Sequence, residues 1–375
     1  MMGNKITTII LAAGMSTRMG EFKPLLPLGN GVVIEQVVRT LQGAGLGDIR
    51  VVLGYRARDV IPVLRDLGVS WVINEEFQTE MLSSVKIGVD GLSPDSEAFF
   101  VLPVDIPMVR PQTFHTILDA FSKDRPHIVY PEFLGQRGHP PLIPYQYADE
   151  LIQWTGKGGL KGFLEQHDAV SQDVPIFDEC ILMDMDTPEH YQQVVARYKS
   201  REIPSKAECL AIMASRFSAD HPIVKHSRVV ARVARVIGEK ITHAGCEMNV
   251  NLVEACGYLH DIGKGQKSHA KAGAQVLKKM GYPNIADIIA THMDLFFADE
   301  GKITEKEVIY LADKLTQGER VLELDKRLES KLEQLTGNPM GKMAAEKRIR
   351  TAMQIKHAIE TIIGERIGVL LDDWR

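Results

Sequence analysis

ITTIILAAGMSTRMGEFKPLLPL, residues 6–28, decides the fold of the first half of the chain. Ile6-Thr7-Thr8-Ile9-Ile10-Leu11 is a short apolar run rich in β-branched residues. It ends abruptly in Ala12-Ala13-Gly14. A loop with Ser16, Thr17, Arg18 and Gly20 follows, then Lys23, then Pro24 and Pro27. A buried strand that delivers its C-terminal end to small residues and two cations is the place where an open α/β sheet binds phosphates. Small side chains bare the backbone N–H groups, and Arg18 and Lys23 supply charge. The spacing excludes the Gly-x-x-x-x-Gly-Lys loop, because Gly14 to Gly20 is one residue too long and Glu21 follows. It also excludes Gly-x-Gly-x-x-Gly.

Outward from this stretch the cadence repeats. Residues 32–41 carry apolar side chains at helical spacing, and residues 49–53 read as a strand closed by Gly54. Residues 60–67 read as a helix, 69–73 as a strand ending at Asn74, and 98–102 and 128–131 as further strands. Alternation of this kind predicts a mostly parallel, Rossmann-like α/β sheet with helices on both faces. Ser83 and Ser84 lie where a helix opens, so either is a candidate N-cap. Asp105, in Pro103-Val104-Asp105-Ile106-Pro107, follows the fourth strand and is placed to hold a cation against phosphates. Residues 181–186 read as a last strand presenting Asp184 and Asp186, which share one side at a period of two, with Pro188 opening a helix. Arg137 and His139, in a proline-fixed turn, suit either a phosphate contact or a structural role. Lys157, Gly158 and Gly159 read as a helix entry.

The string LAAG-x-S-x-R-M-G-x-x-K-x-L-L-P-L resembles the signature of nucleotidyltransferases, and most closely the molybdenum cofactor cytidylyltransferases and guanylyltransferases. The resemblance implies a nucleotide-diphospho-sugar transferase type of fold. It assigns nucleotide binding to Leu11, Ala12, Ala13, Gly14, Arg18, Lys23, Ser83 and Asp105, and Mg²⁺ to Asp105 and Asp186, with Asp184 as the alternative ligand. Arg18, Lys23 and Asp105 would be catalytic. The substrates implied are an NTP, CTP favoured over GTP because the loop reads LAAG rather than LAGG, and a phosphorylated small-molecule acceptor such as molybdopterin. A sugar- or alditol-phosphate acceptor is the alternative.

A charged stretch ending at Pro204 reads as a linker, giving domains at 1–200 and 201–375. Beyond it strand-like runs disappear, so an all-α domain is expected. There the histidines gather: His226, His260-Asp261 before Ile262-Gly263-Lys264, His269, His292, and then Asp313. This order, H…HD…H…H…D with an HDIGK string, resembles the HD-domain metal-dependent phosphohydrolases. By that resemblance His226, His260, Asp261 and Asp313 bind one metal, His269 and His292 serve a second metal or the phosphate, and Asp261 and Lys264 act in catalysis. Imidazole-rich ligation favours Mn²⁺, Fe²⁺, Co²⁺, Ni²⁺ or Zn²⁺ over Mg²⁺. A regulatory module without turnover is the alternative.

A net charge of −5 gives no support to a nucleic-acid partner. No apolar run is long enough for a membrane span, and no signal peptide is apparent. Four scattered cysteines without a CxxC pair suggest a reduced, cytoplasmic protein. Residues 303–335 and 340–363, dense in Lys, Arg and Glu, read as solvated helix faces. A homo-oligomer contact through them is compatible with the sequence, which does not demand one.

Overall fold

The computed structural model describes residues 5–122, 126–298 and 302–372. The outer ends of the two expected domains, residues 1–4 and 373–375, lie outside them. The chain divides into two compact units, Met1–Arg201 and Glu202–Arg375.

In the first unit the elements run β1 (Ile6–Ala12), α1 (Val33–Gly43), β2 (Ile49–Leu53), α2 (Ala57–Leu67), β3 (Ser70–Ile73), α3 (Met81–Asp90) and β4 (Ala98–Pro103). Then come α4 (Pro111–Ala120), β5 (Ile128–Phe133), β6 (Gln136–Arg137), β7 (Leu142–Pro144), α5 (Ala148–Gln153), α6 (Gly159–Gln166), β8 (Ser171–Pro175) and α7 (Pro188–Lys199). The sheet order is β8-β5-β7-β4-β1-β2-β3, with β6 paired to β5. β1 lies parallel to both β2 and β4, β2 to β3, and β5 to β8, while β7 runs antiparallel between β4 and β5. The expected mostly parallel sheet is thus present. All seven residues of β1 are buried, as a strand covered on both faces requires. Successive strands run outward from β1 on one side, and then β4 starts the other. That reversal makes the C-terminal end of β1 the switch point of the sheet, where open α/β sheets bind ligands. The register pairs Ala12 with Leu53 and Leu11 with Pro103, so the loops after β1, β2 and β4 leave the sheet side by side.

Three expectations change. Residues 181–186 do not form a strand. Glu179–Leu182 is a 3₁₀ turn, because the buried Asp178 carboxylate accepts from Cys180 N and holds Arg110 N and Thr113 Oγ1 as well. The last strand of the sheet is instead the polar β8. Ser83 and Ser84 do not cap α3; Glu80 is the N-cap residue, and both serines lie within the helix.

The second unit is helical: α8 (Lys206–Ala214), α9 (Pro222–His243), α10 (Val250–Leu259), α11 (His269–Lys279), α12 (Pro283–Ile289), α13 (Glu305–Leu315), α14 (Leu324–Gln334), α15 (Pro339–Ile363) and α16 (Ile367–Leu370). One two-residue hairpin, Thr316–Gln317 against Arg320–Val321, interrupts it. Two glycines set the spacing of these helices. A Cβ on Gly257 would come within 2.4 Å of Ala231 Cα, so α10 and α9 cross backbone to backbone. A Cβ on Gly263 would meet His269 O at 2.1 Å, so the turn after α10 lies flat against the start of α11. Among the described residues no helix is long and apolar enough to cross a membrane.

Candidate active sites

The first site forms at the C-terminal end of β1. Ala13 O accepts from Tyr55 N at 3.1 Å, and a Cβ on Gly54 would stand 2.8 Å from the same oxygen. The loop therefore closes down on the turn after β2. Ser16, at a φ of 56°, turns the chain back, and its Oγ accepts from Lys23 N at 3.2 Å. This directs the Lys23 side chain inward. Its ammonium lies 2.8 Å from Asp105 Oδ2 and 2.7 Å from Asp186 Oδ1. Arg18 Nη1 reaches Asp186 Oδ2 at 3.1 Å from a largely solvated position. Burial opposes the Lys23 charge, but the two carboxylates outweigh it and hold its pKa above the ordinary lysine value. The hydrogen bond from Lys23 holds the Asp186 carboxyl below its usual range.

The structure brings Asp186 rather than Asp184 to this point. Asp184 Oδ1 lies 2.8 Å from His190 Nδ1 and accepts from Asp186 N at 3.3 Å, so it is turned away. A cavity of about 250 Å³ opens beside Lys23 and Asp105, bounded by Ala12, Gly14, Phe77 and Ser84. Phe77 and Met81 at its wall were not picked out by sequence reasoning. Nor was Asn74, whose fully buried amide donates to Ser83 Oγ at 2.8 Å and Ser84 Oγ at 2.9 Å. Its position just after the C-terminal end of β3, at the same end of the sheet as the loop after β1, is the signal that would have found it. Ser83 itself turns its hydroxyl to Glu80 O. Arg137 lies elsewhere: it pairs with Asp168 and, at 2.6 Å, with Asp173, and stacks on Tyr130, so it ties β8 to the sheet. Two carboxylates converging on one ammonium form an all-oxygen donor set with a cation already between them. That fits a hard divalent ion such as Mg²⁺.

The second site gathers six side chains from five segments of the helical unit. His226 comes from the second turn of α9, His260 and Asp261 from the turn after α10, His269 from the start of α11, His292 from beyond α12 and Asp313 from α13. His226 Nε2 lies 3.2 Å from Asp313 Oδ1, and His260 Nε2 3.7 Å from the same atom. On the other side His269 Nε2 is 3.2 Å and His292 Nε2 3.5 Å from Asp261 Oδ1. His226, His260 and Asp261 form one group of metal-ligand spacing, and Asp261, His269 and His292 form a second. Asp261 belongs to both.

The imidazoles are oriented for ligation. His260 Nδ1 donates to Gly257 O at 2.9 Å and His292 Nδ1 to Ile289 O at 2.6 Å, which leaves each Nε2 facing the cluster. His260 Nε2 and Asp261 Oδ1 are buried there without a hydrogen-bond partner among the described residues. Burial pushes the His260 pKa down to about 4, so the ring is neutral at pH 7 and its lone pair is available. Burial works against the Asp313 charge, yet Lys314, 2.6 Å away, and His226 hold its carboxyl well below the usual range. Orphaned buried ligand atoms among imidazoles and carboxylates fit one or two transition-metal ions.

Residues 8–170 match the MobA-like NTP transferase domain, and residues 223–318 match the HD domain. The chain is 28% identical over 195 residues to molybdenum cofactor cytidylyltransferase of Escherichia coli K12, covering 52% of this chain and 97% of that protein. It is 34% identical over 180 residues to the bifunctional protein GlmU of Psychrobacter sp. PRwf-1, covering 47% of this chain and 36% of that one. The chain thus spans about a third of the length of that relative. Among solved structures, Rv0371c of Mycobacterium tuberculosis H37Rv superimposes with a TM-score of 0.46 at 23% identity, over 52% of this chain and 100% of that one.

Proposed function

We propose that the chain is a bifunctional enzyme of two domains, 1–200 and 201–375. The first would transfer a nucleotidyl group, CMP from CTP, to a phosphorylated acceptor such as molybdopterin. The second would hydrolyse a phosphoester. The observation that carries the transferase reading is the Lys23 ammonium held between Asp105 and Asp186 at the switch point of the sheet. In the reaction an acceptor phosphate oxygen bonds to the α-phosphorus, the bond to the β-phosphate oxygen breaks, and pyrophosphate leaves. A phosphate monoester is already ionised at neutral pH, so no general base is required. Mg²⁺ on Asp105 and Asp186 would supply charge neutralisation of the phosphates. Lys23, released from those carboxylates, and the solvated Arg18 would bind the departing pyrophosphate. Backbone N–H groups of residues 12–14 would hold the nucleotide.

The reading of the second domain rests on the two groups sharing Asp261. Metal ions there would supply a nucleophilic water oxygen at neutral pH. Hydrolysis adds that oxygen to phosphorus, breaks the ester P–O bond and passes the water's proton to the leaving oxygen. Lys264, 3.0 Å from Asp261 Oδ2 and nearly half exposed, is placed to meet a phosphate oxygen. The full chain with Mg²⁺, CTP or GTP and molybdopterin, scored by pyrophosphate release, tests the first activity. Turnover with sugar 1-phosphates and none with molybdopterin would overturn the acceptor. The Mn²⁺-loaded chain, scored by phosphate release from nucleoside monophosphates and cyclic nucleotides, tests the second. Bound metal without any turnover would show a regulatory module.

A further inference from the structure

The histidine cluster opens into a cavity of about 410 Å³, within the range of small-ligand pockets. Its charge is uneven. Five cations line it: Lys264, Lys314, Arg327, Lys331 and Arg348. Three are matched. Lys264 pairs with Asp261 at 3.0 Å, Lys314 with Asp313 at 2.6 Å, and Arg348 with Asp294 through two bonds of 2.8 and 3.1 Å. Arg327 and Lys331 are not. Arg327 donates to the Thr316 carbonyl, and Lys331 lies 3.4 Å from Gln334 Oε1. Among the described residues neither has a carboxylate at ion-pair distance. They stand one helical turn apart on α14, outside the six metal-ligand side chains, and α14 follows the last residue of the HD motif. The wall between is apolar, formed by Pro222, Ile223, Met293, Ala345 and Ile349.

We propose that Arg327 and Lys331 form a second phosphate subsite, and that this domain takes an organic bisphosphate with its two phosphates at separate positions on one small body. The inference rests on the hydrolase reading for what happens to the first phosphate, but not for binding of the second. Two unmatched cations balance one phosphate monoester, which carries about −1.5 to −2 at pH 7. A guanidinium drawn out of water is costly when the carboxylate that attracts it, Asp313, lies beyond ion-pair distance and is already paired to Lys314, and a fork-shaped donor suits phosphate oxygens. The apolar wall would take the body of the ligand. The scissile phosphate would lie at the histidine cluster beside Lys264.

The test uses the full-length, Mn²⁺-loaded protein with adenosine 3′,5′-bisphosphate, AMP and ADP. Binding is read by equilibrium dialysis and phosphate release is read alongside. The wild type is expected to bind the bisphosphate about ten-fold more tightly than AMP. K331Q, at an exposed position, should bring the two within about two-fold while leaving AMP unchanged, and R327Q should do the same. Any binding in the first domain is common to wild type and variants and cancels. Equal affinity for bisphosphate and AMP in the wild type would overturn the subsite. A preference that survives both variants would overturn its assignment to Arg327 and Lys331. Affinity for ADP equal to that for the bisphosphate would place the second phosphate next to the first and overturn the separated arrangement. A variant-sensitive preference without phosphate release from any ligand would sustain the subsite and sink the hydrolase reading.

Discussion

Replacing Lys23 by Met should make the first site bind a divalent cation better and perform transfer worse. The ammonium holds Asp105 at 2.8 Å and Asp186 at 2.7 Å, with side-chain exposures of 11% for Lys23, 24% for Asp105 and 37% for Asp186. Before a metal can use both carboxylates, Lys23 must leave them. Charged hydrogen bonds of this kind are worth about 1.5–3 kcal/mol, so vacating the site should raise metal affinity about 10- to 100-fold. A second effect has the same sign. The two carboxylate oxygens are at most about 5.5 Å apart, and once the ammonium is gone they repel by about 3 kcal/mol at an effective dielectric of 20. A divalent ion relieves that repulsion. Transfer should fall by about 100-fold or more, because Lys23 is also the proposed donor to pyrophosphate. The assay is a Mn²⁺ titration without nucleotide, run on the Lys23 and Lys23→Met chains in an Asp261→Ala background so that the histidine cluster does not contribute. Unchanged or weaker metal binding in Lys23→Met would refute the competition between lysine and metal.

Four further outcomes are expected. Asp261→Ala removes the ligand common to both histidine groups, so metal content measured by atomic absorption should fall for both and phosphate release should drop by at least about 100-fold. Gly257→Ala forces a methyl against the α9 backbone and should destabilise the second unit by about 1–3 kcal/mol in denaturant unfolding. Arg137→Met should cost about 1 kcal/mol in the first unit through loss of its ties to Asp168 and Asp173, and leave the acceptor KM unchanged; a raised KM would return Arg137 to the acceptor site. Burial pushes the His139 pKa down, against the pull of Asp105, so the unfolded chain binds the extra proton first. The stability this contributes is complete above about pH 6.5 and is lost as pH falls below it, with a slope of at most about 1.4 kcal/mol per pH unit. His139→Gln should flatten that part of the profile, measured by thermal unfolding from pH 7.5 to 5.5.

The buried centre of the sheet was legible in the sequence because a strand covered on both faces must be mostly apolar, and β1, β2 and β4 are, interrupted only by Thr7, Thr8 and Arg50. Its edge was not. β8 exposes most of its side chains and is held by Arg137 through Asp173, so no hydrophobic pattern marks it. β7 hides between prolines. Residues 181–182 show the opposite error: a short apolar run suits a strand or a turn equally, and the Asp178 carboxylate decides for the turn. The same error left Asp184 and Asp186 indistinguishable, since on a strand they would share a side. In the turn His190 claims one and Lys23 the other. In the second half the six residues and their division into two sets were legible through the resemblance, but the sharing of Asp261 between the sets was not. That Asp261 stands between two sets of imidazoles depends on Gly257 and Gly263, whose missing side chains bring α9 and α11 against the turn that carries it.

The two sites differ in what they ask of a cation, and the difference follows from how each is balanced before one arrives. Asp105 and Asp186 are already bridged by Lys23, with Arg18 also on Asp186, so the first site takes a metal only by moving a lysine, which phosphates favour by giving that lysine another partner. Metal and nucleotide should therefore enter together. Among the described residues the histidine cluster has no such cation at its centre. His260 Nε2 and Asp261 Oδ1 are buried and unbonded, and the lysines at Asp261 and Asp313 each take the outer carboxylate oxygen, Oδ2, leaving Oδ1 directed at the imidazoles. An ion there displaces nothing and satisfies groups that are otherwise orphaned. On the proposed reading the second metal should thus be resident and the first transient, which would let one chain use a hard ion brought by a nucleotide in one unit and a transition-metal ion kept in place in the other.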